Sequence, residues 1–202
     1  MFFLNYATVI DPLLRDIRAY TVEFSGMKTG DWALDVACGT GAQVLEYARR
    51  GAIATGVDMN PGMIELAQRG RKKSGLGASF QVADALSLPF GDNLFDYVSI
   101  SLALHAMKRE LRDWVIAEMI RVARKGGALL FIDFQAPLPR NAYGYLIRAA
   151  EFTAGGEHHR NSRDFLAQGG LDVLLDRNRL SIEKRGHLKS GGITVIKTRV
   201  GA

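Results

Sequence analysis

The stretch Leu34-Asp35-Val36-Ala37-Cys38-Gly39-Thr40-Gly41 constrains the fold more than any other part of this 202-residue chain. Trp32 to Ala37 reads as a short buried strand and Ala42 to Arg50 as a helix, with a two-glycine turn between them. Glycine has no Cβ, so the backbone can bend sharply there and a ligand can lie against it. The helix that follows turns unpaired N–H groups toward the same spot. A strand, a bare turn and a helix in that order build a nucleotide-type site at the carboxyl end of a parallel strand. The spacing disfavours two common ligands. A dinucleotide fingerprint wants Gly or Ala three residues past the second glycine, where this chain has Val44. A P-loop wants a Gly-Lys-Ser/Thr ending, which is absent. What stands instead is an acid, Asp35, four residues before the first glycine.

The following segments repeat strand and helix. Ile53 to Asp58 reads as a second strand, and its terminal acid falls 17 residues past Gly41, placed to accept hydrogen bonds from ribose hydroxyls. Asn60-Pro61 then opens a helix striped by Met63, Ile64 and Ala67. Ser79 to Ala83 is a third strand, ending in Asp84-Ala85; after the Gly91-Asp92-Asn93 turn, Phe95 to Ile100 is a fourth. Asp96, at the entrance of that strand, is expected to be structural. Ser101 to His105 leaves it as a loop. Leu111, Val115, Met119 and Val122 mark an amphipathic helix expected to end before Lys125-Gly126-Gly127, and Ala128 to Phe134 is a fifth, buried strand. Such alternation predicts a parallel sheet covered on both faces by helices. Beyond Phe134 the pattern changes: Pro137 and Pro139, a helix over Tyr143 to Phe152 closed by Gly155-Gly156, a short helix over Asp164 to Gln168, then strands Leu180 to Leu188 and Ile193 to Val200 joined through Gly191-Gly192. Upstream, Pro12 to Phe24 reads as one amphipathic helix.

The Asp-x-Ala-x-Gly-x-Gly of Asp35–Gly41, followed in order by Val57-Asp58-Met59-Asn60-Pro61-Gly62-Met63, by Asp84-Ala85 and by Leu86–Phe90, resembles the class I S-adenosylmethionine-dependent methyltransferases across residues 30–135. The resemblance implies an α/β, Rossmann-like three-layer sandwich whose mostly parallel seven-stranded sheet ends in an antiparallel strand. It implies one domain over 1–202, with a helical cap at 1–30, a cofactor core at 31–135, room for a substrate lid at 136–160, and a helix and two strands at 161–202. S-adenosyl-L-methionine is the implied cofactor and S-adenosyl-L-homocysteine the product. Asp35 would lie near the ammonium end of the methionine moiety, along a path lined by Ala37, Cys38, Gly39 and Gly41. Asp58 would take the ribose, and Met59 would pack on adenine with Met63 beside it. Asp84 would accept from the adenine amino group while the N–H of Ala85 reads a ring nitrogen. Ser101 would stand between cofactor and substrate, and Tyr6 could cap the cofactor. The wording is most similar to the branch with quinone-biosynthesis C-methyltransferases and phospholipid N-methyltransferases, and Ser190–Val195 is similar to the close of the quinone enzymes. That branch implies a small-molecule or lipid-like substrate.

Composition adds exclusions. One cysteine, Cys38, leaves no internal disulfide and no Cys-rich metal site. No apolar run is long enough for a bilayer, and no leader pattern opens the chain, so a cytoplasmic protein is expected. Net charge of +5 comes largely from clusters at Arg69–Lys73, Lys108–Arg112 and Arg121–Lys125 near helix ends, which the helix dipole favours as solvated groups. They leave room for weak, peripheral contact with an anionic membrane. The loop after the fourth strand lacks the Asn/Asp-Pro-Pro-aromatic motif that amino-methylating relatives use, so adenine, glutamine and nucleic acid are disfavoured as acceptors. His105 is the leading candidate for a general base, by position and by the imidazole pKa; His158, His159, Tyr143 and Asp133 are further candidates. His158-His159 has no third ligand at a recognisable spacing, and no metal is expected. A non-catalytic protein that binds the cofactor or its product is the alternative reading. A nicotinamide-dependent oxidoreductase is disfavoured by Val44 and by the last strand.

Overall fold

The computed structural model describes residues 14–201. Its elements are α1 (Arg15–Ser25), β1 (Trp32–Val36), α2 (Ala42–Arg49), β2 (Ile53–Asp58), α3 (Pro61–Ser74), β3 (Ala78–Val82), β4 (Phe95–Ser101), a 3₁₀ turn (Leu104–Ala106), α4 (Arg109–Val122), β5 (Ala123–Phe134), α5 (Ala142–Ala154), α6 (Gly156–Ala167), α7 (Gly170–Arg177), β6 (Ile182–Leu188) and β7 (Ile193–Arg199). The strands form one sheet in the order β3-β2-β1-β4-β5-β7-β6. β1 to β5 pair in parallel, and β7 runs antiparallel to both β5 and β6. The expected sandwich is therefore present, its antiparallel strand inserted beside β5.

Alternation along the central strands explains the layers, because successive side chains point to opposite faces. Leu34, Val36, Val98, Ile100, Leu129 and Phe131 face a core closed by Val115, Ile116 and Met119 of α4, Phe165 of α6 and Leu171, Leu174 and Leu175 of α7. On the other face, Ala33 and Ala54 meet Val44 and Tyr47 of α2, while Leu130, Ile132 and Val195 meet Ile17 and Phe24 of α1. Each such fully buried side chain stabilises the fold by about 1.5–3 kcal/mol. Asp35 shares the parity of Ala33, so it lies on the α1/α2 face.

Local chemistry sets several boundaries. Gly26 closes α1 in the left-handed conformation, and the Asn60 side chain accepts from the Gly62 N–H at the start of α3, with Pro61 at its first position. Asp96 is structural as expected, its carboxylate accepting from the Trp32 N–H at 2.8 Å and from Arg124 at 2.6 Å. Three expectations need correction. The helix expected to end before Lys125 does so at Val122, but the fifth strand begins at once rather than at Ala128, because Ala123 turns to extended backbone and pairs with Phe95. Gly126 does take a positive φ of 71°, but within a bulge of β5 where the register slips between Phe95 and Tyr97. The short helix over Asp164–Gln168 is the last turn of α6, which begins at Gly156; α7 after it was not anticipated. The amphipathic expectation over Pro12–Phe24 is met by α1 from Arg15 on, and Tyr6 lies outside the described residues.

Candidate functional site

The turn after β1 carries three successive alternations into the left-handed region, with φ of 55° at Ala37, 54° at Gly39 and 74° at Gly41. The two glycines are required for different reasons. A Cβ on Gly41 would stand 2.5 Å from Phe80 Cε1 and 2.8 Å from Ala67 Cβ, so Gly41 lets α2 close on β3 and α3. A Cβ on Gly39 would meet nothing within 4 Å; it points into open space, where a ligand can lie against the backbone. Cys38 is buried with its Sγ over Gly56 of β2, where a Cβ would come within 2.8 Å of the sulfur. Burial, with Asp35 and Asp58 nearby, pushes its thiol pKa far up. Cys38 packs the turn and is not a nucleophile.

Beneath the turn lies a cavity of about 50 Å³ walled by Asp35, Ala37, Cys38, Gly39 and Thr40, by Ile17 and Arg18 of α1, by Gln43 of α2, by Ser101 at the end of β4 and by Leu102 just past it. Asp35 is 2% exposed. Its register partner on β4 is Ser99, whose hydroxyl stands 2.6 Å from Oδ1. Burial drives the Asp35 pKa up to about 7, against the opposing pull of the Ser99 hydrogen bond and the Arg18 charge. Gln43 presents a buried Oε1 with no hydrogen-bond partner among the described residues. A carboxylate that gains from a neighbouring cation, an unpaired amide oxygen and bare backbone together suit an ammonium or sulfonium ligand, so these residues fit the cofactor that the resemblance implies.

Asp58 ends β2 and ties this turn to the next one. Its Oδ2 accepts from the Gly39 N–H and its Oδ1 from the Asn60 N–H, both at 2.9 Å. Each oxygen keeps a lone pair for a further donor. The Asp58 carbonyl accepts from Ala83 N–H, which draws the loop after β3 alongside. In that loop Asp84 is exposed, its Oδ1 capping the Leu86 N–H at 2.9 Å. Met59 is 73% exposed and Met63 half-buried, on the same edge as Asp58. Asp35, Ala37, Cys38, Gly39 and Ser101 thus share one cavity, with Gly41 and Asp58 bonded into its rim, whereas Met59, Met63, Asp84 and Ala85 line the flanking edge. Thr40, within the glycine turn, and Leu102, within the loop after β4, are wall residues too; Arg18 and Gln43 are wall residues that no motif marks.

A second polar cluster sits beside the first. Leu102, forced to a φ of 51°, donates its N–H to the Ile132 carbonyl at 2.7 Å and carries the chain across the tip of β5. That step brings His105 onto Asp133: Nδ1 lies 2.6 Å from Oδ1, and the His105 backbone N–H donates to Oδ2 at 3.2 Å. The ring lies against Phe134, centroids 4.2 Å apart, and is 4% exposed. Burial alone would lower its pKa, but the charge and hydrogen bond of Asp133 and the charge of Glu151 outweigh that and hold it above the ordinary imidazole value. Glu151 of α5 approaches the other nitrogen, Oε1 standing 3.8 Å from Nε2, while His158 Nε2 of α6 stands 3.1 Å from Glu151 Oε2. Arg112 anchors this corner from inside α4, donating to the carbonyls of Leu104, Met107 and Asn161 and pairing with Asp164 at 2.9 Å. Of the other expected candidates, His159 and Tyr143 do not join the cluster. Glu151 was missed, since a lone acid on an amphipathic helix gives no signal of its partners.

Residues 33–127 match the methyltransferase-domain family. An uncharacterized protein of Mycobacterium tuberculosis is 32% identical over 195 residues, covering 90% of this chain and 69% of that protein. A demethylmenaquinone methyltransferase of Thermus thermophilus is 36% identical over 135 residues, covering 65% of this chain and 59% of the relative. Among solved structures, a SAM-dependent methyltransferase from Aquifex aeolicus superposes with a TM-score of 0.68 at 16% identity, covering 91% of this chain and 89% of its own.

Proposed function

The chain belongs to the class I S-adenosylmethionine-dependent methyltransferases and acts by methyl transfer to a small molecule, and from that premise we propose that its acceptor is an apolar, oxygen-bearing ring compound of the quinol type. S-adenosyl-L-methionine supplies a methyl already activated by a sulfonium leaving group. The chain's own task is to hold donor and acceptor in line, and alignment can contribute about 7–11 kcal/mol to lowering the barrier in well-fitted cases. On the donor side, Asp35 and the bare Gly39 turn take the amino-acid end, Asp58 the ribose, and Met59, Met63, Asp84 and Ala85 the adenine. On the acceptor side the reading rests on one observation: the His105–Asp133 pair at the tips of β4 and β5, next to Ser101 and Leu102 of the donor cavity. Asp133, accepting from Nδ1–H, fixes the tautomer and leaves Nε2 to work on the acceptor hydroxyl. α5, which brings Glu151 to this corner, also carries an exposed apolar flank (Tyr143, Leu146 and Phe152), which favours a lipid-like ring over a charged metabolite. Segment 136–160, which carries this flank, is the substrate-covering part of the chain in this reading. Among the described residues no helix is long and apolar enough to cross a membrane, so a membrane-borne acceptor would be met at the surface.

The test is direct. Purified chain, labelled S-adenosylmethionine and a panel of demethylated quinols, phenols and phosphatidylethanolamine vesicles should give label in the quinol or phenol fraction. The transfer should fall by ~10²–10⁴-fold in His105→Gln, the usual contribution of a positioned base. Label appearing only in phosphatidylethanolamine would overturn the acceptor class. Unchanged turnover in His105→Gln would remove His105 from the chemistry.

A further inference from the structure

Resting on the reading that His105 faces the acceptor, we propose that His105, Glu151 and His158 form a binding site for a transition-series divalent cation, with zinc the natural occupant, that presents an open position to an acceptor oxygen. The ligand atoms of the three residues all lie within 4.8 Å of one another. Tetrahedral zinc with bonds of about 2.0–2.2 Å sets its ligand atoms roughly 3.3 Å apart. Glu151 lies 3.8 Å from His105 Nε2 through Oε1 and 3.1 Å from His158 Nε2 through Oε2, so each carboxylate–imidazole separation is close to that.

Three further observations carry the inference. Asp133 holds Nδ1 of His105 at 2.6 Å, so the ring hydrogen points there and the Nε2 lone pair points at the Glu151 carboxylate. In that tautomer two electron-rich groups face each other in a buried corner, an arrangement made favourable either by a second proton on His105 or by a metal cation between them. The carboxylate–imidazole pair is also the outer support that metal-bound histidines ordinarily have. Finally, the Glu151 carboxylate is nearly enclosed and lies 3.1 Å from His158 Nε2 as well as 3.8 Å from His105 Nε2, so both imidazoles converge on it. Two imidazole nitrogens and one carboxylate oxygen suit zinc, cobalt or iron(II) rather than magnesium or calcium, which prefer oxygen alone. His105 and Glu151 are nearly enclosed while the His158 side chain is 40% exposed, so the set closes one side and leaves the other for an incoming oxygen. A hydroxyl bound there would be acidified by the metal; with the cation present, His105 would hold it as a ligand, in place of the direct base role it has in the metal-free chain.

Chelator-treated full chain titrated with Co(II) should develop the visible absorption of a four-coordinate N/O site and saturate at one ion per chain. Calorimetry with Zn(II) should give the same stoichiometry. Glu151→Gln, which keeps the shape of the side chain, and His158→Ala, at a partly exposed position, should each weaken binding at least tenfold with unchanged circular dichroism, and Asp133→Asn by ~10–100-fold. His159→Ala, one residue away, should leave it unchanged. No saturable binding below about 100 μM, or equal affinity in Glu151→Gln, His158→Ala and wild type, would overturn the site and leave a protonated His105 as the cation of this corner. S-adenosylmethionine binding, measured in the same preparations without metal, separates this outcome from failure of the methyltransferase reading. Intact cofactor binding with no metal binding sinks only the cation site.

Discussion

The ionisation of Asp35 offers a sharp prediction, because its carboxyl is fully buried in the free protein and its pKa stands near 7 rather than at 3.8. A cationic ligand needs the carboxylate. At pH 7 about half of the molecules carry it, and at pH 6 roughly one in ten, so the apparent affinity for S-adenosylmethionine should be roughly fivefold weaker at pH 6 than at pH 7 and lose about tenfold more by pH 5. Isothermal titration across pH 5–7 measures this, below the range where the cofactor's own α-amino group titrates at about 7.7–8.0. Asp35→Asn should bind more weakly and show a flat profile, and methylthioadenosine, which lacks the amino-acid end, should be flat with the wild type. Stability runs the other way. A carboxyl whose folded pKa is raised favours the native state while protonated, and that contribution is lost as pH rises through about 7. At pH 8 the buried charge costs at most about 4 kcal/mol, so Asp35→Asn should melt several degrees higher than wild type there and gain nothing at pH 3.5. A wild-type affinity constant from pH 5 to 7 would refute the reasoning, as would a pH dependence retained in Asp35→Asn.

The two glycines of the turn should separate by assay. Gly41→Ala meets Phe80 and Ala67 as well as a positive φ, and should destabilise the fold by about 1–3 kcal/mol in chemical denaturation. Gly39→Ala meets no protein atom, and should cost only about 1 kcal/mol of stability while impairing cofactor affinity in calorimetry. Asp58→Ala removes the acceptor for both Gly39 N–H and Asn60 N–H, and should weaken cofactor binding by about 1–3 kcal/mol. Arg112→Ala empties the anchor that joins the turn at Leu104–Met107 to α6, and should lower unfolding free energy by about 3 kcal/mol, read from urea transitions.

The half of the candidate site around the glycine turn was legible in the chain because its parts are local. A strand that ends in a glycine turn must place Asp35, Ala37, Cys38 and Gly39 around the same few ångströms of backbone, whatever surrounds them. Asp58, at the tip of the adjacent parallel strand, follows from the same rule. The cluster around His105 was only half legible. His105 stood out as a titratable residue just past β4, but Asp133, 28 residues away, became its partner through the pairing of Ser101 with Ile132 in the sheet. Glu151 and His158 arrive from two helices that fold back over those strand tips, and Arg112 reaches the same corner from a third. No periodicity encodes such meetings. The state of Asp35 likewise depends on its surroundings: a carboxyl has an ordinary pKa until α1, α2 and β4 exclude water from it. Sequence alone determined which backbone is left bare at the strand tip, since that is a matter of neighbouring residues and two-residue periodicity. Only the tertiary structure decided which charges face each other, since burial and distance between remote segments set electrostatic energy.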